Sequence, residues 1–191
     1  MKLKRYIPIA ILLLLGGQSN AQDEENKGHH VAISIPEVAL VDLESNSGKN
    51  ISLVVNPPEE AGEAVDMSQA TDSSLWLNYS SVRGKPSEPN RSVYARITSG
   101  SVPSGLRLRV KTMAYAGAGD GKLGVPANNN GKVLNNNDRR VVKNIKTCYT
   151  GDGAGNGHQL IYSLEFRNNQ YSQIDFEDSG VLSILYTITD N

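Results

Sequence analysis

The sequence has little of several residue types that would reveal a protein's chemistry. Its 191 residues include one cysteine, one tryptophan and two phenylalanines. Because Cys148 is alone, no disulfide can form within the chain, and the fold must depend on a hydrophobic core. The formal net charge is only −1. This balance argues against nucleic acid as a partner, since nucleic-acid-binding domains carry a marked excess of Lys and Arg.

Signatures of catalysis are also missing. The chain contains no Gly-x-Ser-x-Gly, no His-Glu-x-x-His and no P-loop. A nucleophile pair of Cys148 and His158 stays open as an alternative, because catalytic pairs meet in space rather than in sequence. A lone cysteine on a strand is more often a small buried hydrophobe. We therefore predict that the protein is not an enzyme and that it has no catalytic residues and no cofactor-binding residues.

The first 21 residues have the pattern of a secretory signal. A cationic start, Met1–Arg5, precedes an apolar run that ends at Gly17, and Ser19-Asn20-Ala21 fits a cleavage site. The apolar run is shorter than the ~20 residues of a membrane span. We expect cleavage after Ala21, no membrane insertion afterwards, and a location in the periplasm or at the cell surface. The remaining chain has 16 Lys and Arg against 20 Asp and Glu, a net charge of −4.

Residues 22–30 are polar and aperiodic and predict a flexible lead-in. A single domain is expected over 31–191. Its clearest strand is the last segment, where Leu182, Ile184, Tyr186 and Ile188 fall on one face of an extended chain.

The same period-two alternation recurs along the chain and predicts an all-β fold. It is found at 31–35, 38–43, 51–55, 75–80, 93–98, 106–111 and 158–167, and Val141, Val142 and Ile145 indicate a further short strand that leads to Cys148 and Tyr149. Turn clusters separate these segments and no helical period is evident, which is typical of an antiparallel β-sandwich. We predict eight or nine strands in an immunoglobulin-like or jelly-roll-like arrangement. The Gly- and Asn-rich stretch 116–138 is expected to be a long functional or mobile loop.

Two Asp-Gly turns suggest a calcium site. Asp120 lies between two glycines, and Asp152 and Asn156 lie in the run Gly151–Gly157. Carboxylate and amide oxygens are the ligands that Ca²⁺ prefers. The alternative is that Gly and Asp serve tight turns with positive φ. The ligand set is short of carboxylates, so we predict no cofactor, with Ca²⁺ as the one candidate.

Aromatic residues could form a platform for stacking sugars, or they could fill the core of the fold. Both possibilities stay open at this point. The residues concerned are Trp76, Tyr79, Tyr94, Tyr115, Tyr149 and Tyr162.

The signal segment, the Trp76 strand, the polar loops and the closing Leu182–Asp190 together resemble secreted bacterial β-sandwich proteins of the pilin and spore-coat type. The Leu75–Leu77 strand also resembles WxL-domain surface proteins. The chain departs from the first group in having no disulfide, and from the second in having one Trp. The resemblance implies a structural or adhesive module at the cell surface, whose partners would be other surface subunits or glycans. A glycan- or calcium-binding lectin-like domain is the alternative, and an exported enzyme is the third.

Overall fold

The computed structural model describes residues 29–191, and the fold within that range is all-β. Its nine strands are β1 (Val38–Glu44), β2 (Thr71–Val82), β3 (Arg91–Ser99), β4 (Leu106–Ala116), β5 (Asp120–Pro126), β6 (Lys132–Val133), β7 (Arg139–Tyr149), β8 (Gly157–Phe166) and β9 (Ser183–Asp190). A 3₁₀ turn, Tyr171–Gln173, is the one helical element described. No helix in this range could cross a membrane. The predicted all-β class and strand number are confirmed, whereas the predicted signal segment and most of the lead-in lie outside the described residues.

All nine strands belong to one antiparallel sheet, which lies in a compact unit of residues 35–191. One half of the sheet contains β1, β2, β8, β4 and β6, and the other contains β5, β7, β3 and β9. The halves are joined where Ser80 and Ser81 of β2 pair with Tyr149 and Cys148 of β7. Whether these halves pack as the two sheets of a sandwich stays a prediction.

Strands of the two halves continue one another end to end. Val38 at the start of β1 pairs with Val82 at the end of β2, and Asp190 at the end of β9 pairs with Arg91 at the start of β3. Likewise, β4 pairs with β8 and β5 pairs with β7, so β4 and β5 lie one after the other in the sheet. The sheet is therefore a ribbon of long interrupted strands, and its interruptions fall at loops and Gly-rich turns.

A single hydrophobic core serves both halves. The inward residues of β2, β4 and β8 follow the predicted alternation, and those of β3, β7 and β9 belong to the same cluster. Tyr162 of β8 and Tyr186 of β9 come from opposite halves, yet their hydroxyl oxygens lie 2.5 Å apart. Side chains from the two halves of the sheet therefore meet in the core.

The buried guanidinium of Arg91 holds the junction of β1, β2, β3 and β9. It donates to the Asp190 carboxylate at 2.9 Å, to the Val82 carbonyl at 3.3 Å, and to the Glu37 carboxylate and the Val38 carbonyl. Only 3% of the Arg91 side chain is exposed. Such a charge is tolerated in a protein interior only when several acceptors surround it.

Three sequence predictions are wrong. Residues 31–35 form no strand, and Val31, Ile33 and Ile35 are exposed. The segment 51–55 also forms no strand; Ile51 and Leu53 pack against the core, and only Asn56 makes a bridge, to Asp66. Alternation shows which face is apolar, but a strand also requires a partner for its backbone groups.

The third error concerns the stretch 116–138, which is not one long loop. It contains β5, which pairs with β7, and the short β6, which pairs with β4. Leu123 and Leu134 from this stretch pack in or against the core. Glycine at 121 and 124, each with positive φ, hid the strand pattern.

Candidate functional site

A groove on the surface of the sheet is the candidate site. It has a volume of about 470 Å³ and lies between β1, the second half of β2 and the segment 149–152, which runs from the last residue of β7 into the turn after it. Its lining residues are Leu40, Val41, Asp42, Asn78, Tyr79, Ser80, Tyr149, Gly151 and Asp152. Two adjacent strands form the floor, and the turn after β7 forms the wall.

Thr150 fixes that wall to the floor. Its N–H donates to the Tyr79 carbonyl at 3.0 Å, and its hydroxyl accepts the Tyr79 N–H at 3.0 Å. Thr150 is 1% exposed, so both bonds are shielded from water. The segment from Tyr149 to Asp152 is therefore held in place before any ligand arrives.

The turn that continues the wall is braced by Asn156. Its side-chain amide donates to the Asp152 carbonyl at 2.7 Å, and its oxygen accepts the Ala118 N–H at 3.1 Å. Gly151 has a φ of 87°, and a Cβ there would lie 2.9 Å from the Asn156 side-chain oxygen. Glycine is therefore required at this position, both for its conformation and for the close approach of Asn156.

The groove combines apolar and acidic surface. Leu40 is 65% exposed and Tyr149 is 53% exposed, so both side chains offer apolar surface to the groove. Asp42 is paired with Lys49 at 3.0 Å, and this hydrogen bond lowers the pKa of Asp42. Because Asp42 is ionised at neutral pH, the groove presents a hydrogen-bond acceptor beside an apolar surface.

Asn78 lies in the floor and is almost fully buried. Its side-chain amide donates to the Gly153 carbonyl at 3.1 Å, whereas its Oδ1 accepts no hydrogen bond from the described residues. Gly157 approaches closely, since a Cβ at this position would lie 2.9 Å from Oδ1 and 2.2 Å from the Leu77 carbonyl oxygen. Asn78 thus ties the floor to the Gly-rich turn.

The three calcium candidates make local contacts or stay in the Gly-rich turn. The Asp120 carboxylate, at the start of β5, accepts the N–H of the adjacent Gly121 at 2.6 Å, and Asn156 makes the bracing contacts described above. Only Asp152 of the three lines the groove. Within residues 29–191, no three His, Cys, Asp or Glu side chains are grouped in a way that could hold a metal ion. The two Gly-rich segments lie close together, and Asn156 joins them.

His158 and Cys148, the alternative nucleophile pair, are both buried but are not hydrogen-bonded to each other. The imidazole Nδ1 lies 2.8 Å from the Met113 carbonyl, and Nε2 lies 3.0 Å from the Tyr79 hydroxyl. Nδ1 carries the proton in the neutral ring, because the Met113 carbonyl can only accept, and the Tyr79 hydroxyl lies between Nε2 and the Leu123 carbonyl. Burial lowers the pKa of His158 and raises the pKa of the Cys148 thiol to about 11. This combination favours a neutral imidazole and an un-ionised thiol.

The aromatic residues divide between the core and the surface. Tyr79 and Tyr162 are 3% and 2% exposed and belong to the core, as one of the two sequence interpretations predicts. Tyr149 is the member of the set that stands exposed in the groove. Leu40 and Asp42 were not identified from the sequence as site residues. The sequence shows only that these two residues, one apolar and one acidic, share the outward face of β1.

Comparisons with known proteins supply no relative, since no protein-family model, no curated protein and no solved structure matches this chain.

Proposed function

We propose that this protein is an exported adhesive module of the bacterial cell surface, without a catalytic step, which binds carbohydrate through the groove beside β1. The observation that carries the proposal is the composition of this groove. It presents exposed Tyr149 and Leu40 beside the carboxylates of Asp42 and Asp152. The export part of the proposal is supported by the signal-like residues 1–21.

A sugar matches this surface in two ways. The C–H face of a pyranose ring is apolar and packs on an aromatic side chain, while its hydroxyl groups donate to carboxylate oxygens. The acidic lining disfavours anionic ligands, because like charges repel. Among the described residues, the groove lining contains no Lys or Arg, and the nearby Lys49 is already paired with Asp42. A neutral glycan is therefore the ligand class that fits best.

The arrangement at His158 supports a binding role over a catalytic one. A nucleophile needs an adjacent base that is itself oriented by a third group. Here the imidazole is engaged by Met113 and Tyr79, and the high pKa of Cys148 disfavours its thiolate. A rigid groove without such a pair favours recognition without turnover.

The test is titration of the protein with a panel of neutral oligosaccharides, followed by calorimetry or by NMR. Tyr149→Ala should weaken binding at least roughly tenfold, since it removes the stacking surface. Asp152→Asn should weaken it less, because the amide still accepts one hydrogen bond. Phe176→Ala is the matched control, since Phe176 is 95% exposed but lies outside the groove.

Two results would count against the proposal. If no neutral glycan binds, or if Tyr149→Ala binds as well as the parent, then the groove is not a carbohydrate site. The same titration with Ca²⁺ and with a chelator examines the calcium alternative. Glycan binding that is lost on chelation would move the ligand-binding role to a metal-dependent site near Asp152.

A further inference from the structure

The outer edge of β9 differs from the other edges of the sheet. Proteins protect exposed strand edges with charges, prolines, glycine bulges or short strands. In β1 the edge carries Asp42 and Glu44; in β5 it carries Lys122 and Pro126; β6 has only two residues. From Ser183 to Thr189, β9 contains none of these features.

The backbone groups that face this edge can be identified. The Asn191 N–H donates to the Asn90 carbonyl at 3.1 Å, and the register between β9 and β3 is continuous from Asp190 to Ile184. Because successive residues of a strand direct their N–H and C=O groups to opposite edges, odd-numbered residues face β3. The groups of Ile184, Tyr186 and Ile188 therefore face outward, where no described strand pairs with them.

The sequence of this edge is complementary to itself. When it is read outward from Tyr186, Ile184 matches Ile188, Leu185 matches Thr187 and Ser183 matches Thr189. Two antiparallel copies related by a two-fold axis at Tyr186 would thus place isoleucines opposite isoleucines. They would also place Leu185 opposite Thr187 of the second copy, and such uncharged pairs with β-branched residues stabilise sheets.

The register also keeps both faces of the sheet consistent. Ile184, Tyr186 and Ile188 point to the core side in each copy, and Leu185, 41% exposed, points to the other side. Ile184 and Ile188 are only partly buried, so a second strand would cover more of their surface. Asp190 lies at the end of the strand, one residue beyond the matched segment, so the two Asp190 carboxylates do not oppose each other.

We propose that two copies of this chain associate through β9, forming an antiparallel strand pair centred on Tyr186 and one sheet continuous across both copies. The contact is small, so the dimer should be reversible, with a dissociation constant on the order of 10 μM. This proposal uses the edge of β9 and does not depend on the ligand of the groove.

The test is sedimentation velocity on the protein expressed from its full-length sequence, across a range of concentrations. The double variant Leu185→Lys with Thr187→Lys places lysine opposite lysine across the contact and should raise the dissociation constant at least roughly tenfold. Leu185→Lys with Thr187→Glu places each lysine opposite a glutamate and should restore the dimer. Both positions are exposed in the described chain, so the fold should persist, as thermal unfolding will verify.

Val125→Lys is the matched control. Val125 is 47% exposed on the guarded edge of β5, close to the exposure of Leu185, and its replacement should leave the dimer unchanged. A parent protein that stays monomeric at 1 mM would overturn the proposal, since ~1 mM lies far above the expected constant. A dimer that persists in the double-lysine variant would also overturn it, as would failure of the Lys–Glu variant to restore association.

Discussion

The contact between Tyr162 and Tyr186 gives the sharpest test of the packing between the two halves of the sheet. The side chains are 2% and 8% exposed, and their hydroxyl oxygens lie 2.5 Å apart, at the short end of the range for O–H···O bonds. Replacing either residue with Phe keeps the ring in the core and removes one hydroxyl. The other hydroxyl is then buried without this partner.

The expected energies follow from that geometry. A buried hydroxyl left without its partner costs about 1–3 kcal/mol, so each single variant should lose that amount of unfolding free energy. Removing both hydroxyls leaves no unpaired group, and the double variant should be no less stable than the single ones. The coupling free energy of the cycle should therefore be about 1–2 kcal/mol, which is large against a typical total of ~5–15 kcal/mol.

Urea denaturation of the four proteins measures this cycle, and an unchanged m-value would show that the unfolding reaction is the same. The pH dependence provides a second readout. Burial raises the pKa of Tyr162 to about 12, and it also raises the pKa of Tyr186 above its ordinary value. Since unfolded tyrosine ionises near ~10, stability should be complete below that pH and decline between pH 10 and 12. Additive single effects, without coupling, would contradict the pairing of the hydroxyls.

Three further predictions concern single residues. His158→Gln should flatten the acid limb of the curve of unfolding free energy against pH, measured by urea denaturation, and an unchanged acid limb would contradict this. Burial lowers the pKa of His158, so the stability that the neutral ring contributes is present above the unfolded pKa near ~6.5 and is lost as pH falls. Arg91→Met should lower the unfolding free energy by about 3 kcal/mol, measured by thermal unfolding; this is the lower end for a broken buried pair, because Glu37 and Asp190 are largely exposed. A loss below about 1 kcal/mol, the value of a surface ion pair, would show that the strand junction does not depend on Arg91. Cys148 should resist thiol reagents in the folded protein, since it is 6% exposed with a pKa raised to about 11; fast, complete labelling without denaturant would count against its burial.

Much of the fold could be predicted because alternation records burial directly. The inward positions of β2, β4, β8 and β9 were all identified correctly, including Tyr186 and its neighbours. Residues 31–35 alternate as clearly but form no strand. The period reports which side of an extended segment is apolar, and it carries no information on whether another strand is available to pair with it.

The arginines of β4, which alternate with apolar residues over 106–111, show a second limit. Arg107 and Arg109 are outward-facing, as the alternation predicts, and from the sequence alone they would need water or a partner. The structure pairs both with Glu165 on the adjacent β8, at 2.7 and 2.6 Å. Because this pairing depends on which strands are neighbours, only the topology could reveal it. The same holds for the groove, whose walls come from segments far apart in the chain.

Neither the groove nor the edge of β9 could be recognised from the sequence alone, because both depend on how the strands are arranged. The self-complementary pattern of Ser183–Thr189 is visible in the sequence, but it acquires meaning only when β9 is known to lie at an edge. The groove has no such local pattern, since Leu40 and Tyr149 are ordinary outward residues of their strands. The two surfaces share no residue, so Tyr149→Ala and the lysine variants of β9 separate ligand binding from association. If two copies do associate, each dimer presents two grooves, and binding to a surface carrying many glycans would then strengthen through effective concentration without any new contact. Loss of that strengthening in the double-lysine variant, with the affinity for a free oligosaccharide unchanged, is the result that would link the edge to adhesion.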